Sequence, residues 1–218
     1  MMTSNSAPHC DSRRTLGDPW SGYVPSMSGR PSQSERRAQT RECLIQAATH
    51  VVAEQGYHSA TVDQIAERAG FSIGALYSNF ASKDELLFAV FDGHVAWFED
   101  RLEAASGAKD PAGAVAEWMG SLTEESDQFL VFIEFWAYAV RKPLARQQFE
   151  QRMAQMRGAV ARAVTSRAHK SGAPPLLPPE LVALLALAIG RGLALEKLVD
   201  ATAVPDEVVS DLLAGLLG

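Results

Sequence analysis

Cysteine is nearly absent from this sequence: there are two in 218 residues, Cys10 and Cys43. One lies in a polar lead-in and one in a helical pattern, so a disulfide-stapled fold is excluded and reduced thiols in a cytoplasmic protein are expected. Long apolar runs are missing too. None approaches the roughly 20 residues that a membrane helix needs, and the nearest case, Leu181 to Gly190, ends at Arg191. No membrane partner is expected. Ser12-Arg13-Arg14-Thr15-Leu16 faintly resembles a twin-arginine export signal, but Gly, Asp, Pro and Ser follow where an apolar stretch is needed. The histidines, His9, His50, His58, His94 and His169, have no metal-ligand spacing. There is no P-loop, dinucleotide glycine pattern or nucleophile elbow. Glu196 and Lys197 are adjacent, so they do not face one partner on a helix. No cofactor is implied, and an enzyme is not expected.

What is present is apolar and helical. Hydrophobic residues make up 47% of the chain, enough for a real core, and few segments alternate with the period of a strand. An all-α class follows. The length allows a small domain plus a larger one. Residues 1–34 are rich in Ser, Pro and Gly and read as a disordered tail. Net charge is −6, which limits non-specific attraction to nucleic acid. Yet Arg13, Arg14, Arg30, Arg36, Arg37 and Arg41 lie close together in sequence, opposed only by Asp18 and Glu35. That arm either follows DNA phosphates or simply keeps the tail soluble.

Residues 61–85, TVDQIAERAGFSIGALYSNFASKDE, carry the strongest signal. Thr61 and Gln64 form a capping box. Val62, Ile65, Ala66 and Ala69 recur at helical spacing, and Gly70 suits the left-handed residue that stops a helix. Ser72 is placed to cap a second helix in which Ile73, Leu76 and Phe80 share one face. Ser82 and Glu85 read as a further capping box that starts a longer helix. A lead-in helix from about Arg36 to Gln55 is stopped by Gly56. Two short helices at a tight turn form a helix-turn-helix, whose second helix enters the DNA major groove. A DNA-binding protein is expected.

This stretch resembles the DNA-binding domain of the tetracycline-repressor (TetR) family of bacterial transcription regulators. The likeness runs from about Arg36 to about Ala96. It includes the lead-in helix CLIQAATHVVAEQGY, then Thr61-Val62, Gln64-Ile65-Ala66, Ala69-Gly70, Gly74, Leu76-Tyr77, Phe80 and Ser82-Lys83. The resemblance implies an N-terminal three-helix helix-turn-helix domain at 36–96 and a C-terminal helical effector-binding and dimerisation domain at 97–218. It turns Ile73, Gly74 and Ala75 toward base edges. Tyr77, Asn79 and Lys83, with Thr61 and Ser72, turn toward phosphates; Ser78 or Asn79 offers modest hydrogen bonding, and Arg36 and Arg37 join the list from the arm. The family often has lysine where Ile73 stands and threonine where Ala75 stands, so strong base donors are missing here. Apolar contact with thymine methyls and DNA shape are left to carry specificity.

Beyond 97 the likeness is only of style. Helices are expected near 112–126, 127–141, 143–169, 180–200 and 206–217. The aromatic run FLVFIEFWAYAV at 129–140 is the centre of the body. By resemblance an effector cavity lies between such helices, which makes Trp97, Trp118, Phe132, Phe135, Trp136 and Met153 the expected pocket; ordinary core packing explains the same residues. Glu134, a carboxylate in an apolar run, can bond an effector, pair with an arginine or face water, and the last is the expectation. Helix 143–169 has an apolar stripe and a basic face with Arg146, Arg152, Arg157, Arg162 and Arg167, read as solvated in preference to membrane-bound. Leu181–Ile189 is apolar nearly all round and must be covered on most sides. By resemblance the last two helices form a four-helix dimer interface, through Leu184, Leu187, Gly190, Leu195, Leu212, Leu213 and Leu216, although an intramolecular core would also use them.

The expected protein is a homodimeric, cytoplasmic transcription regulator that binds double-stranded DNA at an inverted repeat. It acts as a repressor released by a largely apolar small molecule. Two alternatives stay open: an effector-independent DNA-binding regulator, and a helical ligand-binding protein without operator binding.

Overall fold

The computed structural model describes residues 32–121, 126–172, 174–205, 208, 211 and 212. Among them are eight α-helices and no strand: α1 (Gln33–Gln55), α2 (Val62–Ala69), α3 (Ile73–Asn79), α4 (Lys83–Gly107), α5 (Pro111–Ser121), α6 (Ser126–Ala139), α7 (Pro143–Ser171) and α8 (Pro179–Val199). The all-α expectation is borne out. None of these helices is long and apolar enough to cross a membrane. The chain divides into two compact units. Among the described residues, one holds those up to His94 together with Asp127–Tyr138, and the other holds those from Val95 to Ser126 and from Ala139 onward.

α1 begins nearly a turn before the expected Arg36. Ser32 accepts from the Glu35 N–H at 3.2 Å, and the Glu35 carboxylate accepts from the Ser32 N–H at 2.6 Å. This capping box begins inside the stretch 1–34 assigned to the tail and places its last residues in α1; residues 1–31 lie outside the described residues. Leu44, Ile45, Ala48, Val51 and Val52 then recur along the buried face of α1. They meet Ile65, Ala66 and Ala69 of α2 and Leu76 of α3 in one small core. An isolated helix as short as α2 or α3 is marginal in water, so this packing is what makes both stable.

The first unit has a second layer. Phe91 of α4 and Phe135 of α6 stack with ring centroids 4.4 Å apart, and Phe88 meets Phe135 edge-on at 5.2 Å. Phe132 extends the stack toward His94, at 5.4 Å. Both Phe91 and Phe135 are fully buried, each worth about 2–3 kcal/mol in area removed from water.

In the second unit α7 lays Ala145, Phe149, Met153, Met156, Val160 and Val164 along one buried stripe, and α7 packs on α8. Pro143 and Pro179 each occupy the first turn of their helices, where a missing N–H costs nothing. α7 ends on Gly172 in the left-handed conformation. Its arginines lie outside the buried stripe, as a solvated basic face requires. The expected helix at 206–217 falls mostly outside the described residues.

Gly56 closes α1 with φ +77° and ψ 159°, a backbone region nearly reserved for glycine. A Cβ there would also approach the Glu134 carboxylate to 3.1 Å. Gly56→Ala is therefore expected to cost about 1–3 kcal/mol through backbone strain, with a further loss from displacing Glu134. Urea unfolding midpoints measure it. A midpoint equal to that of the original chain would show that the turn adapts freely.

Candidate nucleic-acid interface

The turn between α2 and α3 is built from local hydrogen bonds that the amino-acid sequence dictates. Thr61 Oγ1 accepts from the Gln64 N–H at 3.2 Å, and Gln64 Oε1 accepts from the Thr61 N–H at 2.9 Å. Gly70 takes φ +73° and ends α2, its N–H turned back onto carbonyls of the last turn. Ser72 then caps α3 by accepting from the Ala75 N–H at 3.2 Å.

α3 is held from beneath and from its end. Leu76 and the following Phe80 are fully buried. The Arg37 guanidinium donates to the Ser78 carbonyl at 3.1 Å, a cation placed where a helix C-terminus carries partial negative charge. The Arg41 guanidinium lies 4.7 Å from the centre of the Phe80 ring. Ile73 departs from the expected shared face: it is 43% exposed and looks outward while Leu76 and Phe80 point in.

Of the residues expected at DNA, Arg36, Arg37, Thr61, Ser72, Ile73, Gly74, Tyr77 and Ser78 are exposed, and Ala75, Asn79 and Lys83 are half-buried. Ser78 Oγ and Asn79 Nδ2 both donate to the Ala75 carbonyl at 2.8 Å, so these donors are engaged within the helix. Ser82 caps α4 by accepting from the Glu85 N–H at 3.0 Å, but Glu85 reaches one residue further back, to the Ala81 N–H at 2.6 Å.

Lys83 has an unforeseen partner. Its ammonium donates to the Tyr57 carbonyl and lies 4.2 Å from the centre of the Tyr57 ring. Burial pulls its pKa below the usual lysine value. Tyr57 is itself buried. Its hydroxyl donates to one Asp84 oxygen, and the Tyr138 hydroxyl donates to the other at 2.7 Å. The Tyr57 N–H donates to the Glu134 carboxylate at 2.9 Å. Glu134 is therefore half-buried and bonded to the backbone of the first unit, not directed to water as expected. Asp84 and Tyr138 had no signal in the sequence; Glu134 had one, a carboxylate in an apolar run.

The six aromatic and methionine positions expected at an effector divide between the units. Phe132 and Phe135 belong to the aromatic stack of the first, and Trp136, next to them in α6, is 40% exposed. Trp97, Trp118 and Met153 belong to the second, where the two indole rings meet edge-on at 5.7 Å. Of the expected interface positions, Leu184, Leu195 and Leu212 are exposed and Gly190 is half-buried. Leu187 is the exception: it is already buried within the chain, with Val182, Ala183 and Ala194. Leu213 and Leu216 lie outside the described residues.

Residues 44–90 match the model for bacterial regulatory proteins of the tetR family, and residues 109–218 match that for the C-terminal region of BetI-type transcriptional repressors. A curated relative, the HTH-type transcriptional activator FasR of Mycolicibacterium smegmatis, is 38% identical over 102 residues, which cover 47% of this chain and 42% of FasR. The fatty acid metabolism regulator protein of Bacillus subtilis is 38% identical over 60 residues, 28% of this chain and 31% of its own. The chain thus spans less than half the length of these curated relatives. A solved transcriptional regulator from Rhodococcus sp. Rha1 superposes with a TM-score of 0.64 at 27% identity, covering 82% of this chain and 94% of that one.

Burial and the Asp84 charge both raise the pKa values of Tyr57 and Tyr138. An unfolded tyrosine ionises near pH 10; above that pH the unfolded chain loses protons that the folded chain keeps. The tyrosines' contribution is therefore complete below about pH 10 and is lost as pH rises through their higher folded values. Lys83, with its lowered value, acts in the opposite sense. Comparing Tyr138→Phe with the parent cancels that contribution. Between about pH 10 and 11.5 the variant should lose stability less steeply, by urea midpoints taken across that range. Equal slopes would show that the Tyr138 hydroxyl ionises as freely folded as unfolded.

Proposed function

The chain belongs to the TetR family of bacterial transcription regulators, and we propose from that premise that it is a cytoplasmic homodimer that binds an inverted-repeat operator and represses until a small molecule releases it. The observation that carries the DNA-binding reading is α3. Leu76 and Phe80 anchor it, Arg37 fixes its end, and Ile73, Gly74, Tyr77 and Ser78 are left facing outward. In this reading Ile73 and Ala75 contact thymine methyls, since neither can hydrogen-bond a base edge through its side chain. Specificity then rests partly on DNA shape. Tyr77, Ser72 and Thr61 meet phosphates, as do Arg36 and Arg37. An ammonium has three donors, so Lys83 keeps two for a phosphate while it holds Tyr57.

Dimerisation is proposed through α8. Leu181, Leu184, Leu195 and Val199 are exposed at helical spacing along it, with Ala188 and Gly192 between them. Such a stripe in water asks for a partner. A two-fold dimer would set two recognition helices about one DNA turn apart, roughly 34–36 Å. The effector is proposed to be largely apolar and to bind beside Trp97 and Trp118 near Met153, with Phe132 and Phe135 serving as core. A relative whose name refers to fatty acid metabolism is in keeping with an apolar ligand.

Selection of bound duplexes from random-sequence DNA tests the reading directly, and recovery of no enriched inverted repeat would overturn it. Adding a metabolite panel to the bound duplex, with indole emission recorded, identifies the effector. On the selected duplex, Tyr77→Phe and Lys83→Ala should weaken binding alike across sequence variants. Lys83→Ala should also reduce the slope of log affinity against log salt by about 1. An unchanged slope would remove Lys83 from the phosphate contacts. Leu184→Glu should give a folded monomer by light scattering, because that side chain is 51% exposed in the single chain. Leu187→Glu should instead unfold the protein, through a buried unpaired carboxylate. A Leu184→Glu protein that stays dimeric places the interface elsewhere.

A further inference from the structure

In a chain of net charge −6, the stretch between Glu134 and Glu150 holds Arg141, Lys142 and Arg146 and no acid. These cations stand in and just after the turn that joins α6 to α7, and all of them are exposed. The turn is stiff. Pro143 opens α7, and a residue before proline is confined to extended backbone. Lys142 accordingly has φ −124° and ψ 112°. The Arg146 guanidinium donates back to the Val140 carbonyl at 2.5 Å, which occupies one of its five N–H donors. Its charge is thereby held at the turn.

The turn begins where the first unit ends. Tyr138, the last residue of α6 in that unit, donates its hydroxyl to Asp84 at 2.7 Å. Asp84 adjoins Lys83, proposed above at a phosphate. Arg141 follows Tyr138 so closely in sequence that their Cα atoms are at most about 11 Å apart, and long side chains extend that reach. Attraction to phosphate needs such nearness, because charge is screened beyond about 8–10 Å.

We propose that the α6–α7 turn is a second contact to the DNA backbone, in which Arg141, Lys142 and Arg146 meet phosphates of the duplex that α3 reads. Phosphate contacts carry no base information, so the turn adds affinity and salt dependence without adding sequence choice. It supplies locally the positive charge that the chain as a whole lacks. Val140 and Leu144 are exposed beside these cations, at 45% and 80%, and an anionic lipid surface is the rival partner. The helix that follows buries Ala145, Phe149 and Met153. It therefore has no free apolar face to lay into a bilayer, and DNA is the better match.

The proposal rests on the DNA-binding reading, and the test separates the two. Full-length wild type and variants are titrated by fluorescence anisotropy against a duplex that the wild type selects from random-sequence DNA, over roughly 50–200 mM salt. Arg141→Gln/Lys142→Gln leaves the Arg146 tie to Val140 in place. It should reduce the slope of log affinity against log salt by about 1 or more. Its deficit against the wild type should then narrow roughly four-fold across that range. The deficit should also be the same on base-substituted duplexes. Lys142→Glu should weaken binding more than Lys142→Gln, as charge reversal at a phosphate requires. Arg162→Gln/Lys170→Gln removes equal charge from exposed positions at least about 28 Å from the turn along α7, and should leave the slope unchanged. Equal slope changes in the two double variants would assign the effect to net charge and overturn the proposal. An unchanged slope in Arg141→Gln/Lys142→Gln, with the wild type binding normally, overturns it while leaving the DNA-binding reading intact. A wild type that binds no duplex removes both. Vesicles of phosphatidylserine and phosphatidylcholine complete the test. Cosedimentation of the wild type that Arg141→Gln/Lys142→Gln loses, with an unaltered DNA slope, assigns the turn to a lipid surface instead.

Discussion

A helix of two turns cannot hold itself together in water: nucleation is costly and few bonds are gained in return. α3, Ile73–Asn79, is such a helix, and the first unit is arranged around keeping it in place. Its first turn is satisfied by Ser72. Leu76 and Phe80 fasten one side into the core that α1 and α2 share. Its last turn has no glycine stop, and Arg37 from α1 supplies the missing partner for the Ser78 carbonyl. With one side and both ends engaged, the remaining surface presents Ile73, Gly74, Tyr77 and Ser78 with little freedom left to lose on binding. Preorganisation of this kind lowers the ordering cost of recognition.

The same economy accounts for a net charge of −6 in a chain that carries a helix-turn-helix. Charge acts locally, within a Debye length of about 8–10 Å. Arg37 and Arg41 stand on α1 beside α3, and Glu54 on the same helix pairs with Arg68 at 2.6 Å instead of facing α3. That exposed ion pair adds little stability, but it neutralises an acid in the neighbourhood of the turn. Arg37 serves a second purpose, since the cation that reaches the Ser78 carbonyl also stands at the exposed edge of α3.

What was legible in the sequence is what local chemistry decides. Both caps of the helix-turn-helix and the Gly70 stop depend on residues within four positions of each other, and all appear in the structure. The capping box at Ser32 and Glu35 is equally local, but a Ser- and Pro-rich context concealed it. Glu134 and Leu187 were read differently from what the structure shows, and the Tyr57 partner of Lys83 went unread, for a common reason. Each has its role set by a partner remote in sequence or by the side of a helix that a neighbour covers. Glu134 in an apolar run reads as an exposed acid until Tyr57, remote in sequence, offers an N–H. Leu187 sits in a segment apolar nearly all round, and periodicity cannot say which side α7 takes. The six aromatic and methionine positions expected at one pocket are divided between two compact units.

The two kinds of contact that α6 makes in the first unit differ in how they respond to displacement. The Phe91–Phe135 stack is apolar and broad, so a small slide along it changes the buried area little. It supplies adhesion and tolerates movement. The hydrogen bonds of Glu134 and Tyr138 weaken steeply with angle and distance; apart from the exposed Asp84, the residues they join are buried or half-buried, where a lost partner is costly. They supply register. Adhesion without register would leave α6 attached but unspecified in position; register without adhesion would not survive in water. Together they give a helix that stays bound to the helix-turn-helix in one preferred seat.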